Sequence, residues 1–206
     1  MRPVLPSCAD CAINQHKSTD QIDCQDCLAG LVSAKGSTNC IGCTVGNYNS
    51  VSSGTAVCTK CPANSSSLIN SANAIACLCN TGFSGPSGGT CTGCTVGKYK
   101  SITGTSVCTN CPTNSSSAVN SVNFTACLCN SGYTGQNGAI CSECAAGKYK
   151  LTAQLCTECP VGKYSSLVAL NTISGCTSNN GKYADVAGLS QCKQCEPGKY
   201  ADVAGL

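Results

Sequence analysis

Cysteine is the residue whose abundance and spacing could do chemistry here: 23 of 206 positions. The cysteines fall into Cys-x-x-Cys doublets, beginning with Cys8–Cys11 and Cys24–Cys27, and into two Cys-x-Cys cells at Cys77–Cys79 and Cys127–Cys129. Such doublets have three chemistries. In an oxidising compartment they form disulfides, in a reducing one four thiolates can bind zinc, and on a βαβ scaffold a single doublet can act as a redox dithiol. Three glycosylation sequons, at Asn64, Asn114 and Asn123, favour the oxidising compartment and covalent glycans. The Cys-x-Cys cells and the scarcity of histidine, with His16 alone, argue against zinc. No helix–strand alternation surrounds any doublet, which argues against the redox reading.

Other chemistry finds little material. Nine carboxylates, a single His and no Gly-x-Ser-x-Gly arrangement leave no nucleophile with a base, so no enzyme, no catalytic residue and no cofactor are expected. His16 reads as a solvated surface residue. Asp10, Asp20, Asp23 and Asp26 do not match a calcium loop, and no metal site is assigned. A net charge of +3 with 10% charged residues lacks the basic patch that nucleic acid requires. The lysines after successive glycines, Lys98, Lys148, Lys163, Lys182 and Lys199, could form a row for docking anionic glycans, although such a row is usually a solvated face. No run approaches 18 apolar residues, so no membrane span is expected in this chain.

The elements that must position the cysteines are repeats. With a shift of 50, Cys58, Cys61, Cys77, Cys79, Cys91 and Cys94 fall on Cys108, Cys111, Cys127, Cys129, Cys141 and Cys144, and CPANSSS at 61–67 returns as CPTNSSS at 111–117. A period of this size marks an array whose units touch mainly their neighbours. Leu, Ile, Val and Phe make up fewer than one residue in five, too few for an ordinary core, so cross-links must hold the chain. The expected fold is small and disulfide-rich: an elongated tandem array of short β-hairpin loops with little or no helix. Its sections are an irregular segment at 1–39, repeats at 40–93 and 94–143, and shorter degenerate repeats at 144–206. The ending GKYADVAGL repeats residues 181–189 and reads as a piece of something longer.

A smaller cell recurs inside the repeats, as in Cys43-Thr-Val-Gly46-Asn-Tyr48, Cys94-Thr-Val-Gly97-Lys-Tyr99 and Cys159-Pro-Val-Gly162-Lys-Tyr164. The Gly permits a tight turn after the cross-link, and the Tyr is expected to lay its ring on the neighbouring disulfide. Cys-x-x-Cys-Pro-x-Gly-x-Tyr, followed about a dozen residues later by Cys-x-x-Cys, resembles the ephrin-receptor-like cysteine-rich repeats and the first loop of tumour necrosis factor receptor modules. Residues 77–91 and 127–141 resemble the closing half of an epidermal-growth-factor-like module. Such repeats occur in receptor ectodomains, matrix proteins and large surface proteins of protists.

The resemblance implies that the second Cys of each doublet closes a loop with the first Cys of the next. The implied pairs are Cys11–Cys24, Cys27–Cys40, Cys43–Cys58, Cys61–Cys77, Cys79–Cys91, Cys94–Cys108, Cys111–Cys127, Cys129–Cys141, Cys144–Cys156 and Cys159–Cys176. Cys8, Cys192 and Cys195 are left over, as a local Cys192–Cys195 bridge, free thiols, or bonds to another subunit through Cys8 or Cys195. On this scheme the missing partner of Cys192 falls at Asn179. The functional expectation is an extracellular structural or adhesive glycoprotein, a rod- or fibre-forming element that associates with itself or with other surface proteins. A receptor ectodomain binding a protein ligand is the alternative.

Overall fold

Each module begins with a turn that the sequence dictates. Two residues after a ladder cysteine the chain reverses, and the third residue beyond that cysteine takes a positive φ. That residue is glycine at Gly30, Gly46, Gly97, Gly132, Gly147 and Gly162. At Asn14 (63°), Asn64 (61°) and Asn114 (60°) it is asparagine, the residue type that tolerates this region best after glycine. The turn is closed by a backbone hydrogen bond three residues long, for example from Leu31 N–H to Leu28 O at 3.0 Å and from Asn47 N–H to Thr44 O at 3.1 Å.

A two-residue strand follows the turn and pairs, antiparallel, with the two residues inside the next doublet. Leu31–Val32 pairs with Ile41–Gly42 between Cys40 and Cys43, and Lys148–Tyr149 pairs with Thr157–Glu158 between Cys156 and Cys159. In the Cys-x-Cys cells the second strand is Leu78–Cys79 or Leu128–Cys129, and a short 3-10 turn precedes it at Ala74–Ala76 or Phe124–Ala126. Ten such two-stranded sheets are present among the described residues.

The computed structural model describes residues 9–51, 57–152, 155–179 and 181–200. The chain divides into two units, Met1–Gly93 with Ile102–Cys108, and Cys94–Ser101 with Thr109–Leu206. Residues 9–39 carry the same hairpins as the rest: Gln15–His16 pairs with Gln25–Asp26. The fold is a small disulfide-rich tandem array of hairpins.

Disulfides run in sequence order. Cys11–Cys24, Cys27–Cys40, Cys43–Cys58, Cys61–Cys77 and Cys79–Cys91 occur in the first unit. Cys111–Cys127, Cys129–Cys141, Cys144–Cys156 and Cys159–Cys176 occur in the second. Cys94 and Cys108 are each disulfide-bonded as well.

Most modules are clasped to a neighbour through the residue that follows the first strand or, at Ser165, the Tyr164 bridge. That position holds Ser33, Asn49, Ser67, Lys100, Ser117, Lys150, Ser165 and Ala184, all buried; after three other first strands it is Lys17, Gly85 and Gly135, which are not. Its carbonyl accepts from the turn residue of the preceding module: Asn14 to Ser33 (3.0 Å), Gly30 to Asn49 (2.8 Å), Gly97 to Ser117 (2.9 Å), Gly162 to Ala184 (2.8 Å). Its side chain donates back to the preceding first strand. Ser33 reaches Gln15 O, Asn49 reaches Leu31 O, Ser67 reaches Asn47 O and Ser117 reaches Lys98 O, all at 2.9 Å. The tyrosines of the repeated cell (Tyr48, Tyr99, Tyr149, Tyr164) are only half-buried. The buried place belongs to the residue after the ring.

Close approach explains one glycine in particular. A Cβ on Gly132 would lie 2.2 Å from the carbonyl oxygen of Ala169, far inside contact distance, so the modules can meet there only with a bare Cα.

Candidate functional site

Cysteine, not aliphatic carbon, fills the interior. Among the described residues the buried apolar ones are 14 cysteines and Ala184. Of the described Leu, Ile, Val and Phe residues none is buried; 26 are exposed, and Leu31, Val32, Phe83, Leu170 and Leu189 are half-buried. This inverts the ordinary rule that large aliphatics go inside. The physical cause is module size: a hairpin with two residues per strand encloses little more than its own disulfide and one small or polar side chain. No buried side-chain N or O among the described residues lacks a hydrogen-bond partner, as polar groups in so thin an interior require.

Two of the buried polar residues are lysines. The Lys150 ammonium donates to the carbonyls of Tyr133 (2.5 Å) and Cys129 (3.2 Å), so its charge is met by backbone dipoles of the preceding module. Burial disfavours the charged form and holds the pKa of Lys150 below its ordinary value, and Lys100 shifts in the same direction for the same reason. Sequence reasoning singled out the lysines two places earlier. Of those, Lys98 and Lys163 are exposed, Lys148 pairs with Glu158 across its hairpin at 3.3 Å, and Lys199 pairs with Glu196 at 3.0 Å.

The sequon asparagines differ in setting. Asn64 is exposed, whereas Asn114, at the matching turn, is half-buried and its side-chain amide donates to Cys141 O at 3.2 Å. Asn123 is exposed and caps the 3-10 turn, its carbonyl oxygen accepting from Ala126 N–H and from the Thr125 hydroxyl at 2.7 Å. Asn64 and Asn123 therefore present free amide nitrogens to an approaching sugar more readily than Asn114 does.

His16 lies against a disulfide, its Nδ1 3.2 Å from Cys40 Sγ. With Cys27 and Cys40 it forms the one His/Cys/Asp/Glu group of metal-binding dimensions among the described residues. Both of those thiols are joined to each other and offer no thiolate. The acids Asp10, Asp20, Asp23 and Asp26 are exposed; Asp10 pairs with Lys35 at 3.8 Å and Asp26 accepts from Gln15 at 2.8 Å.

Cys192 and Cys195 are free and half-exposed; Cys8 lies outside the described residues. Strand register corrects the expected position of the missing partner. Where a loop-opening cysteine is followed by a two-residue strand, it stands four residues before that strand, as Cys144 stands before Lys148 and Cys79 before Phe83. The strand that pairs beside Cys192 begins at Lys182, which puts the vacant place at Ser178 and not at Asn179. The bridge between Tyr164 and Thr177 corresponds to Ser66 with Leu78. Cys176-Thr-Ser178 is therefore a third Cys-x-Cys cell with serine in place of its second cysteine. Asn179 instead donates to the Tyr164 hydroxyl at 2.6 Å.

Comparison with protein-family models and with curated proteins finds no match. No helix among the described residues is long and apolar enough to cross a membrane.

Proposed function

We propose that this chain is an extracellular, glycosylated structural or adhesive element, a length of rod or fibre built by repeating one cross-linked cell. The observation that carries the reading is the recurrent clasp. The same turn hydrogen bond recurs in most modules, and a buried Ser, Asn, Lys or Ala fills the same place; a repeated contact generates length more naturally than a single recognition site. The near-complete oxidation of the described cysteines supports an oxidising compartment. Exposed sequons at Asn64 and Asn123 support glycan attachment.

Electron microscopy of the native material tests this reading, together with small-angle scattering of the purified chain. A globular chain of this length has a radius of gyration of roughly 17 Å. A clearly larger value with filaments in the micrographs is the expected result. A value near the globular one, with no filaments, rules the reading out.

A further inference from the structure

His16 is the single histidine of the chain, and it stands where other modules have no imidazole. It is the second residue of a first strand, Gln15–His16. The matching place holds tyrosine at Tyr48, Tyr99, Tyr149 and Tyr183, and valine, serine or threonine in the remaining first strands. The ring reaches the disulfide of the following module, with Nδ1 3.2 Å from Cys40 Sγ and a ring nitrogen within 4.8 Å of Cys27 Sγ. The charges beside it along its own hairpin are engaged elsewhere: Lys17 donates to Ile22 O at 2.6 Å, and Asp26 accepts from Gln15 at 2.8 Å.

In other respects Cys27–Cys40 matches its neighbours in the first unit. Like Cys11–Cys24 and Cys43–Cys58, it joins one buried cysteine to one half-buried cysteine. The sequence separations are 13 for Cys27–Cys40, 13 for Cys11–Cys24 and 15 for Cys43–Cys58. Access and loop length, which bear on how readily a disulfide opens and closes again, are therefore matched. The imidazole alone sets Cys27–Cys40 apart. Disulfide exchange needs one sulfur to lose a proton as it attacks and another to gain one as it departs, and imidazole is the side chain that takes and gives a proton near neutral pH.

We propose that Cys27–Cys40 is an exchange site at which Cys40 takes up a small external thiol, with His16 carrying the proton from the incoming sulfur to the departing one. The thiol, R–SH, gives its proton to the ring and attacks Cys40 Sγ, the half-buried end, because Cys27 is only 1% exposed. The bond between the two cysteines breaks as the bond from R–S to Cys40 forms. Its electron pair goes to Cys27 Sγ, and the ring returns the proton there. One thiol and one disulfide thus become another thiol and another disulfide, with no net oxidation and no net change in protons. Protonation of Cys27 is the step that needs the histidine most, since an unpaired thiolate in so buried a place is costly.

The test starts from the oxidised full chain with its free thiols alkylated by iodoacetamide. Reduced glutathione is added at fixed pH, newly released thiols are trapped at early times with isotopically labelled iodoacetamide, and peptide mapping locates both groups. The comparison variant is His16→Tyr, because tyrosine is the residue that other modules carry at this place; its urea midpoint is measured in the oxidised form. The expected result is glutathione on Cys40 and label on Cys27, appearing at least roughly tenfold faster than at Cys11–Cys24 or Cys43–Cys58, a modest part of what one positioned acid–base group supplies. In His16→Tyr the rate should fall to that of the neighbouring disulfides with the urea midpoint unchanged. Equal rates at all three disulfides of the parent, or glutathione on Cys27, would overturn the proposal, and that comparison needs no variant. An unchanged rate in a folded His16→Tyr would overturn it too.

Discussion

Gly147 and Gly181 hold the same place in their turns, with φ of 82° and 74°, yet their surroundings differ. A Cβ on Gly147 would sit 2.1 Å from Gly188 O, while nothing lies within 4 Å of one on Gly181. Gly181→Ala should cost only the left-handed conformation, about 1–2 kcal/mol. Gly147→Ala should cost clearly more, because a carbonyl must also move. Urea unfolding of the two variants measures the difference, and equal midpoints would contradict the close approach. Lys150 makes a second prediction. Its folded-state pKa lies below 10.5 through burial, so between the folded value and 10.5 the unfolded chain binds more protons. Stability therefore rises with pH across that window and levels off above it. With Cys192 and Cys195 alkylated, the parent should gain more resistance to urea than Lys150→Gln as pH approaches 10.5; identical pH profiles for the two would contradict the buried ammonium. Nothing in the sequence pointed to Lys100 or Lys150. Their position elsewhere holds Ser, Asn or Ala, so no residue type marks it, and the tyrosine beside it draws attention instead.

Ser178 belongs to the scale of the element. The hairpin joining Lys182–Tyr183 to Lys193–Gln194 lacks the bridge that its neighbours have, and the pair Lys193–Asp185 at 2.8 Å is exposed, where such pairs contribute little. Ser178→Cys should restore the bridge to Cys192, leaving Cys195 as the free thiol among the described cysteines. A closed loop of about 15 residues contributes roughly 3 kcal/mol in the chain-entropy model, so the variant should unfold at clearly higher urea. Continued alkylation of Cys192 in that variant would contradict the register. The hairpins themselves were legible because doublets, glycine and aromatic recur in one order. The Cys-x-x-Cys spacing puts the vacant position one residue too late, at Asn179. Only the strand pairing reveals that Cys176 opens the shorter Cys-x-Cys cell, as Cys77 and Cys127 do.

For the whole molecule, the fold class was legible from composition: too few large aliphatics for a core, and enough cysteine to replace one. What composition could not tell is where the aliphatics go. A conventional expectation sends some of them inside, yet modules this small leave room only for sulfur and one short or hydrogen-bonded side chain, and the described Leu, Ile and Val residues stay exposed or half-buried. The fold therefore stands on the disulfides and on their order. Non-reducing peptide mapping of the native protein tests it most directly. The predicted map joins Cys43 to Cys58, Cys61 to Cys77 and Cys79 to Cys91, with Cys192 recovered outside the ladder. A Cys58–Cys77 or Cys61–Cys79 bridge, or free thiols throughout, would contradict it.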